Sequence, residues 1–204
     1  MLHDLTLTQA MAQTASGPTV SADGVVDLGG GDTGVLNYAY ALEQLEAAYY
    51  TQVVDNPYSG MTRTERDILA DLRDHEIAHR ETFRVALGEN RIPDLQVDFS
   101  AVDFSSRQSV LTTARTFEDL GVAAYNGGGA AIQSPDILVL AGKIVSVEAR
   151  HAATIRTLLN PGSADFAGDD VVNLLGLDQA LPPSEVLAAA APFIATRVSA
   201  NQLP

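Results

Sequence analysis

The chain has no cysteine. Disulfides, thiolate metal sites and cysteine nucleophiles are therefore excluded, and the redox compartment stays open. Basic residues are scarce, 12 Lys and Arg against 26 Asp and Glu, for a net charge of −14. Nucleic-acid binding needs a cationic surface for the phosphates, so this balance argues against it, whereas it suits a protein that attracts cations. No apolar run approaches the roughly 20 residues of a membrane span. The opening stretch "MLHDLTLTQAMAQTASG" has neither a basic n-region nor a clean apolar h-region and does not read as a signal peptide. A soluble protein, cytoplasmic or exported, fits all of this. Histidine is rare as well: there are four.

The chain does have ample core-forming material. Its 204 residues are 46% hydrophobic, enough for one domain of ordinary size. Residues 1–34 are rich in Gly, Ser, Thr and Asp and read as a loose, flexible leader. Four segments without internal proline then show helical periodicity, at roughly 35–54, 63–87, 107–126 and 135–159. Two of the links, "DNPYSGMT" and "NGGGAAIQSP", are short, whereas "GENRIPDLQVDFSAVDFSS" between the second and third segments is long. Short, long, short is the connectivity of a four-helix bundle with one crossover. Residues 160–204 form a tail with one short helical stretch, "PSEVLAAAAPFI", packing on the bundle. The expected fold class is all-α.

The apolar stripes carry an anomaly. In the second segment the stripe reads Leu69, Leu72, Glu76, His79, Phe83, Leu87, and in the fourth Ala141, Ile144, Glu148, His151, Ile155, Leu159, at a constant offset of 72. The first reads Leu36, Ala39, Glu43, Ala47, Tyr50, Val54, and the third Leu111, Ala114, Glu118, Val122, Tyr125, at an offset of 75. The chain thus reads as two copies of a helical hairpin. Each carries a Glu on its first helix and a Glu-x-x-His on its second, where apolar residues belong. Four inward carboxylates and two imidazoles would be costly unpaired. Two divalent cations would balance the four negative charges. A Glu and a His three residues apart share a helix face, so one can lie between two metals while the other caps one of them. Oxygen and imidazole donors suit iron or manganese, and also zinc.

The two Glu-x-x-His motifs, each preceded by a Glu some 30 residues upstream, resemble those of the ferritin-like superfamily. The likeness is to its di-metal carboxylate bundles of bacterioferritin and rubrerythrin type and to bacterial ferritin-like domains of the desiccation-related type. It covers about residues 35–159. It implies two bound metal ions, iron ahead of manganese or zinc. Glu43 and Glu118 would be terminal ligands, Glu76 and Glu148 would bridge, and His79 and His151 would each cap one metal. The same six residues would carry any catalysis. Tyr50 and Tyr125, each seven residues after a terminal Glu, would donate to ligand carboxylates across the bundle or serve as ordinary core tyrosines. The implied function is that of an oxidoreductase acting on Fe2+ with O2 or H2O2, or detoxifying peroxide. The alternative is a metal-binding stress or desiccation protein without turnover. The long leader and tail favour a monomer or small homo-oligomer over a cage.

Four features fall outside the repeat. Glu46 lies one turn after Glu43, its counterpart is Gly121, and whether it is a ligand stays open. His75 precedes Glu76, points about 100° away and reads as surface. His3 belongs to the leader. "VVDLGGGDTGVL" contains Gly29-x-Gly31-x-x-Gly34, the outline of a dinucleotide fingerprint, but no β-α alternation follows, so it reads as a flexible glycine stretch with Asp32 or Thr33 capping the first helix.

Overall fold

The computed structural model describes residues 16–204; the first part of the expected leader, with His3, lies outside the described residues. Four long helices dominate: α1 (Gly31–Asp55), α2 (Arg63–Leu87), α3 (Arg107–Gly129) and α4 (Pro135–Leu159). Their ends carry local signals. Thr62 caps α2 with a reciprocal capping box, its Oγ1 accepting from Glu65 N at 3.2 Å while its own N–H donates to Glu65 Oε2 at 2.8 Å. Ser106 Oγ accepts from Ser109 N at the start of α3. Pro135, with its fixed φ, opens α4.

Helix α1 packs along α2, and α3 along α4. Contacts across the two hairpins run in opposite directions: Tyr50 reaches Glu118, while Tyr125 reaches Glu43. Helices α1 and α3 are therefore antiparallel, as a single long crossover requires. Helix α1 is buried on nearly every side, so its weak amphipathicity reflects a helix enclosed by the others, the crossover and the tail. The buried stripes follow those read from the sequence, except that Val53 is buried in place of Val54 and that His79, Tyr125 and Leu159 are only partly buried.

The crossover is held by polar side chains that α1 buries. Asn37 Nδ2 donates to Leu28 O (3.1 Å) and Asn90 O (2.9 Å), and its Oδ1 accepts from Ile92 N at 2.9 Å. Gln44 Oε1 accepts from Leu95 N at 2.7 Å. Further along, Tyr49 donates to Val110 O at 2.6 Å and meets Phe99, Phe104 and Phe117. Asn37→Ala strands two buried backbone groups, Leu28 O and Ile92 N, and one partly buried group, Asn90 O. Each costs on the order of 1–3 kcal/mol when left unpaired, so a loss of about 3 kcal/mol or more is expected in a urea melt. A change below about 0.5 kcal/mol would mean that the crossover is not anchored there.

Several boundaries differ from the sequence reading. The leader ends at Gly30, not residue 34, and its described part is structured. Strands β1 (Thr19–Val20) and β2 (Val26–Asp27) pair antiparallel, and β2 pairs in parallel with β3 (Val198–Ser199) from the tail. The glycines around the start of α1 serve close approach: Gly29 has φ +82°, and a Cβ on Gly34, in the first turn, would lie 2.4 Å from Gly29 O. The helix is capped at Gly30 without a side-chain bond. Asp32 instead accepts from Gln133 N (2.7 Å) and Ser134 N (2.9 Å), tying α1 to the entry of α4. Helix α3 runs three residues past 126, through glycines. A Cβ on Gly127 would sit 1.9 Å from Leu181 O, and Leu181 N donates to Ala123 O at 3.0 Å. The tail then forms the short helix α5 (Pro183–Ala190), whose Val186 and Ala190 join the core. Arg156, 1% exposed, anchors the chain after α4 by pairing with Asp119 (2.7 Å) and Asp170 (2.6 Å).

Candidate metal centre

Helical pitch delivers one carboxylate from each long helix to the middle of the bundle. Glu43, Glu76, Glu118 and Glu148 are all fully buried there, with His151 buried and His79 nearly so. Ligand atoms fall into two groups that could each hold a metal ion: Glu43, Glu76, His79 and Glu148, and Glu76, Glu118, Glu148 and His151. Within each group the atoms lie within 4.8 Å of one another. Glu76 and Glu148 belong to both.

The two halves answer each other atom for atom. His79 Nδ1 lies 2.8 Å from Glu148 Oε1, and His151 Nδ1 lies 2.8 Å from Glu76 Oε1. His79 is 3.6 Å from its own-helix partner Glu76, and His151 is 3.7 Å from Glu148. His79 to Glu43 is 3.6 Å, and His151 to Glu118 is 3.4 Å. Tyr50 donates to Glu118 Oε1, and Tyr125 donates to Glu43 Oε1. The sequence left these two tyrosines open between partners of the carboxylates and plain core residues; both carry hydrogen bonds to the centre.

Among the described residues, the other carboxylate oxygens and the inward imidazole nitrogens of the cluster have no hydrogen-bond partner. Both oxygens of Glu76, both of Glu148, Oε2 of Glu43, Oε2 of Glu118 and Nδ1 of each histidine are buried without a hydrogen bond. The imidazole nitrogens are near carboxylate oxygens, yet they are not aimed along hydrogen-bond directions. Buried polar atoms are rarely left so, and eight together in one spot leave a cluster of lone pairs facing a common centre. Two free oxygens on each shared Glu, one on each outer Glu and one nitrogen on each His are donor atoms of the kind that could hold metal ions.

The electrostatics describe the price of this cluster in metal-free protein. Burial, then the neighbouring Glu148, raises Glu43 well above the carboxylate range. Burial lifts Glu118 to about 8. Burial also works to raise Glu76, but the imidazoles of His151 and His79 prevail and hold it at about 2. For His79 and His151 burial opposes charge, yet the surrounding carboxylates lift both to about 12. The histidines and Glu118 thus bind protons more tightly folded than unfolded. The stability they confer is complete below their ordinary values of 6.5 and 4.5 and drains as pH rises towards about 12 and about 8. Glu76 acts in the opposite sense, stabilising above 4.5 and failing towards about 2. Chelated protein is therefore expected to melt at a higher temperature near about pH 6 than near about pH 8.5, and metal-loaded protein to reverse that order, because ligands must shed protons to bind. Melting series with and without Zn2+ check this; the same slope in both would contradict it.

Two residues lie closer to the centre than the sequence suggested. Glu46 is buried with Oε1 unpartnered, and burial followed by the surrounding glutamates raises it well above the usual range. Its carboxyl fills the space left by Gly121, where a Cβ would lie 3.4 Å from Glu46 Oε1 and 3.8 Å from Glu148 Oε2. Neither four-residue group includes it. His75 is exposed, as its helical position implies, but it is not off the site: its Nδ1 lies 2.9 Å from His151 Nε2. The signal for both was available as a departure from the repeat, Glu46 against Gly121 and His75 against Val147.

No helix among the described residues is long and apolar enough to cross a membrane. No curated protein matches the chain. The family model of the ferritin-like domain matches residues 31–161, from the first residue of α1 to just beyond the last of α4. With four helices, one long crossover and a buried Glu/His centre that could bind metal, the chain belongs to the ferritin-like domain family.

Proposed function

We infer that this protein is a di-metal oxidoreductase, holding two iron ions and oxidising Fe2+ with O2 or H2O2 or removing peroxide. The observation that carries the reading is the set of eight unpartnered ligand atoms shared between two overlapping groups. Glu76 and Glu148 would bridge, Glu43 and Glu118 would close the two ends, and His79 and His151 would each cap one ion. Iron at two adjacent positions supplies the electrons that reduction of O2 or H2O2 requires.

The protein's own groups set the conditions. Tyr50 and Tyr125 hold one oxygen of each terminal carboxylate, so the other is the one presented to the centre. Burial and the surrounding glutamates raise Glu46 well above the usual carboxylate range, which opposes a fifth negative charge beside the four carboxylates. A groove between α2 and α4, lined by Asp71, His75, Ala78 and Val147, reaches both capping histidines and admits solvent and small molecules. The rest of the centre is sealed in the bundle. With the described part of the leader tied to the tail in one sheet, we expect a monomer or small oligomer, readable by size-exclusion chromatography with light scattering.

The activity is tested by adding two equivalents of Fe2+ to metal-free protein without oxygen, then mixing with air or H2O2. Oxidation at least about tenfold faster than free Fe2+, with a near-ultraviolet ferric band that is lost in Glu76→Ala, is the expected result. Tight metal binding with no acceleration by either oxidant would leave the protective, non-turnover role. No bound metal at all would overturn both.

A further inference from the structure

The internal repeat is broken at one position that touches the centre. An offset of 72 maps Glu76 onto Glu148 and His79 onto His151, but it maps His75 onto Val147. His75 Nδ1 meets His151 Nε2 at 2.9 Å. The ring centroids are 5.2 Å apart with the planes only 10° from parallel. With the nitrogens this close, that separation is the one given by two rings meeting edge to edge in nearly one plane, so the contact is an in-plane hydrogen bond and not a face-to-face stack. His151 Nδ1 faces the carboxylates, so Nε2 carries the outward N–H and donates, and His75 Nδ1 accepts. Among the described residues the opposite histidine, His79, has no such neighbour, because Val147 offers no acceptor.

We propose that His75 is a positioning residue for one of the two metal positions only. It fixes the ring orientation and tautomer of His151, so that the Glu76/Glu118/Glu148/His151 group binds its ion more tightly than the Glu43/Glu76/His79/Glu148 group. The reading rests on the metal assignment above and adds an inequality to it. Partners that accept from the far nitrogen of a ligating histidine orient it and raise its basicity, and their loss weakens metal binding about 10–100-fold. The exposed ring of His75 contributes little to the core, so its removal acts on His151 and not on the fold.

The test uses full-length protein and Zn2+ titration by calorimetry, with each position isolated in turn. In a His79→Ala background the surviving position is that of His151, and adding His75→Ala should lower its affinity about 10–100-fold. In a His151→Ala background the same addition should change the affinity by less than about twofold. His75→Gln, whose amide oxygen can also accept from Nε2–H, should recover part of the loss. The melting temperature of the metal-free single variant should match the parent's. Equal losses in both backgrounds, or no loss in either, would overturn the inequality while leaving the di-metal reading intact. Absence of Zn2+ binding by the parent would instead defeat the metal reading itself.

Discussion

Glu76→Ala is expected to reduce bound metal from two ions per chain to one at most, and Glu148→Ala to do the same. Each of these carboxylates belongs to both four-residue groups, and each keeps both oxygens free of hydrogen bonds. Removing one therefore strips a ligand from both ions at once, whereas His79→Ala touches one group only and should leave one ion bound. His75→Ala should leave the metal content of saturated protein close to that of the parent, because it lowers an affinity without removing a ligand. Elemental analysis after desalting measures all four. Two ions retained in Glu76→Ala would remove the basis for a bridged pair. The metal-free variants separate further. Counting four crowded charges, as the sequence invites, predicts that loss of any carboxylate leaves the metal-free protein as stable or more so. In the folded protein Glu76 is the counter-charge 2.8 Å from His151 and is held at about 2, so its removal should destabilise the metal-free form. The gain belongs at Glu46, buried and unpartnered: Glu46→Met is expected to stabilise by about 1–3 kcal/mol.

Metal loading should raise the melting temperature by about 10–20 °C. A ligand at one hundred times its dissociation constant adds about 2.7 kcal/mol per site, hence about 5 kcal/mol for two. In a protein of this length each kcal/mol moves the midpoint by about 2–4 °C. The direction follows from the centre itself, since two cations neutralise carboxylates that are otherwise forced to hold protons, and they engage eight orphaned atoms in one step. Scanning calorimetry on protein stripped with a chelator and then reloaded with Zn2+ or Mn2+ measures the shift. A midpoint unmoved by the chelator or by reloading at neutral pH would mean that the centre takes no metal.

Much of this arrangement was legible in the residue order. The second and fourth helices were bounded to the residue, because proline, capping residues and a clear amphipathic period mark them. The first and third were extended by glycines that a propensity argument treats as breaks. Gly31 opens α1, and Gly127–Gly129 continue α3, where the backbone of Leu181 occupies the place of a side chain at Gly127. Neighbours fixed by distant contacts leave no local mark. The same holds for the three short strands: two-residue strands have no period to read, and β2 pairs with β3 across some 170 positions.

The sequence by itself determined the bundle, its crossover and the convergence of Glu43, Glu76, Glu118, Glu148, His79 and His151, because helical periodicity converts spacing into direction, and a doubled pattern leaves few ways to satisfy six polar groups on inner faces. What only the tertiary structure decided is everything that depends on distance between elements. It put His75 on the outer nitrogen of His151 while leaving His79 without such a partner among the described residues. It slid the Glu46 carboxyl into the gap at Gly121. It also made Glu76 an ionised partner while raising Glu43 and Glu118 towards the neutral acid. Residue order sets which face a side chain occupies; only packing sets which atoms meet, and ionisation follows from the atoms that meet.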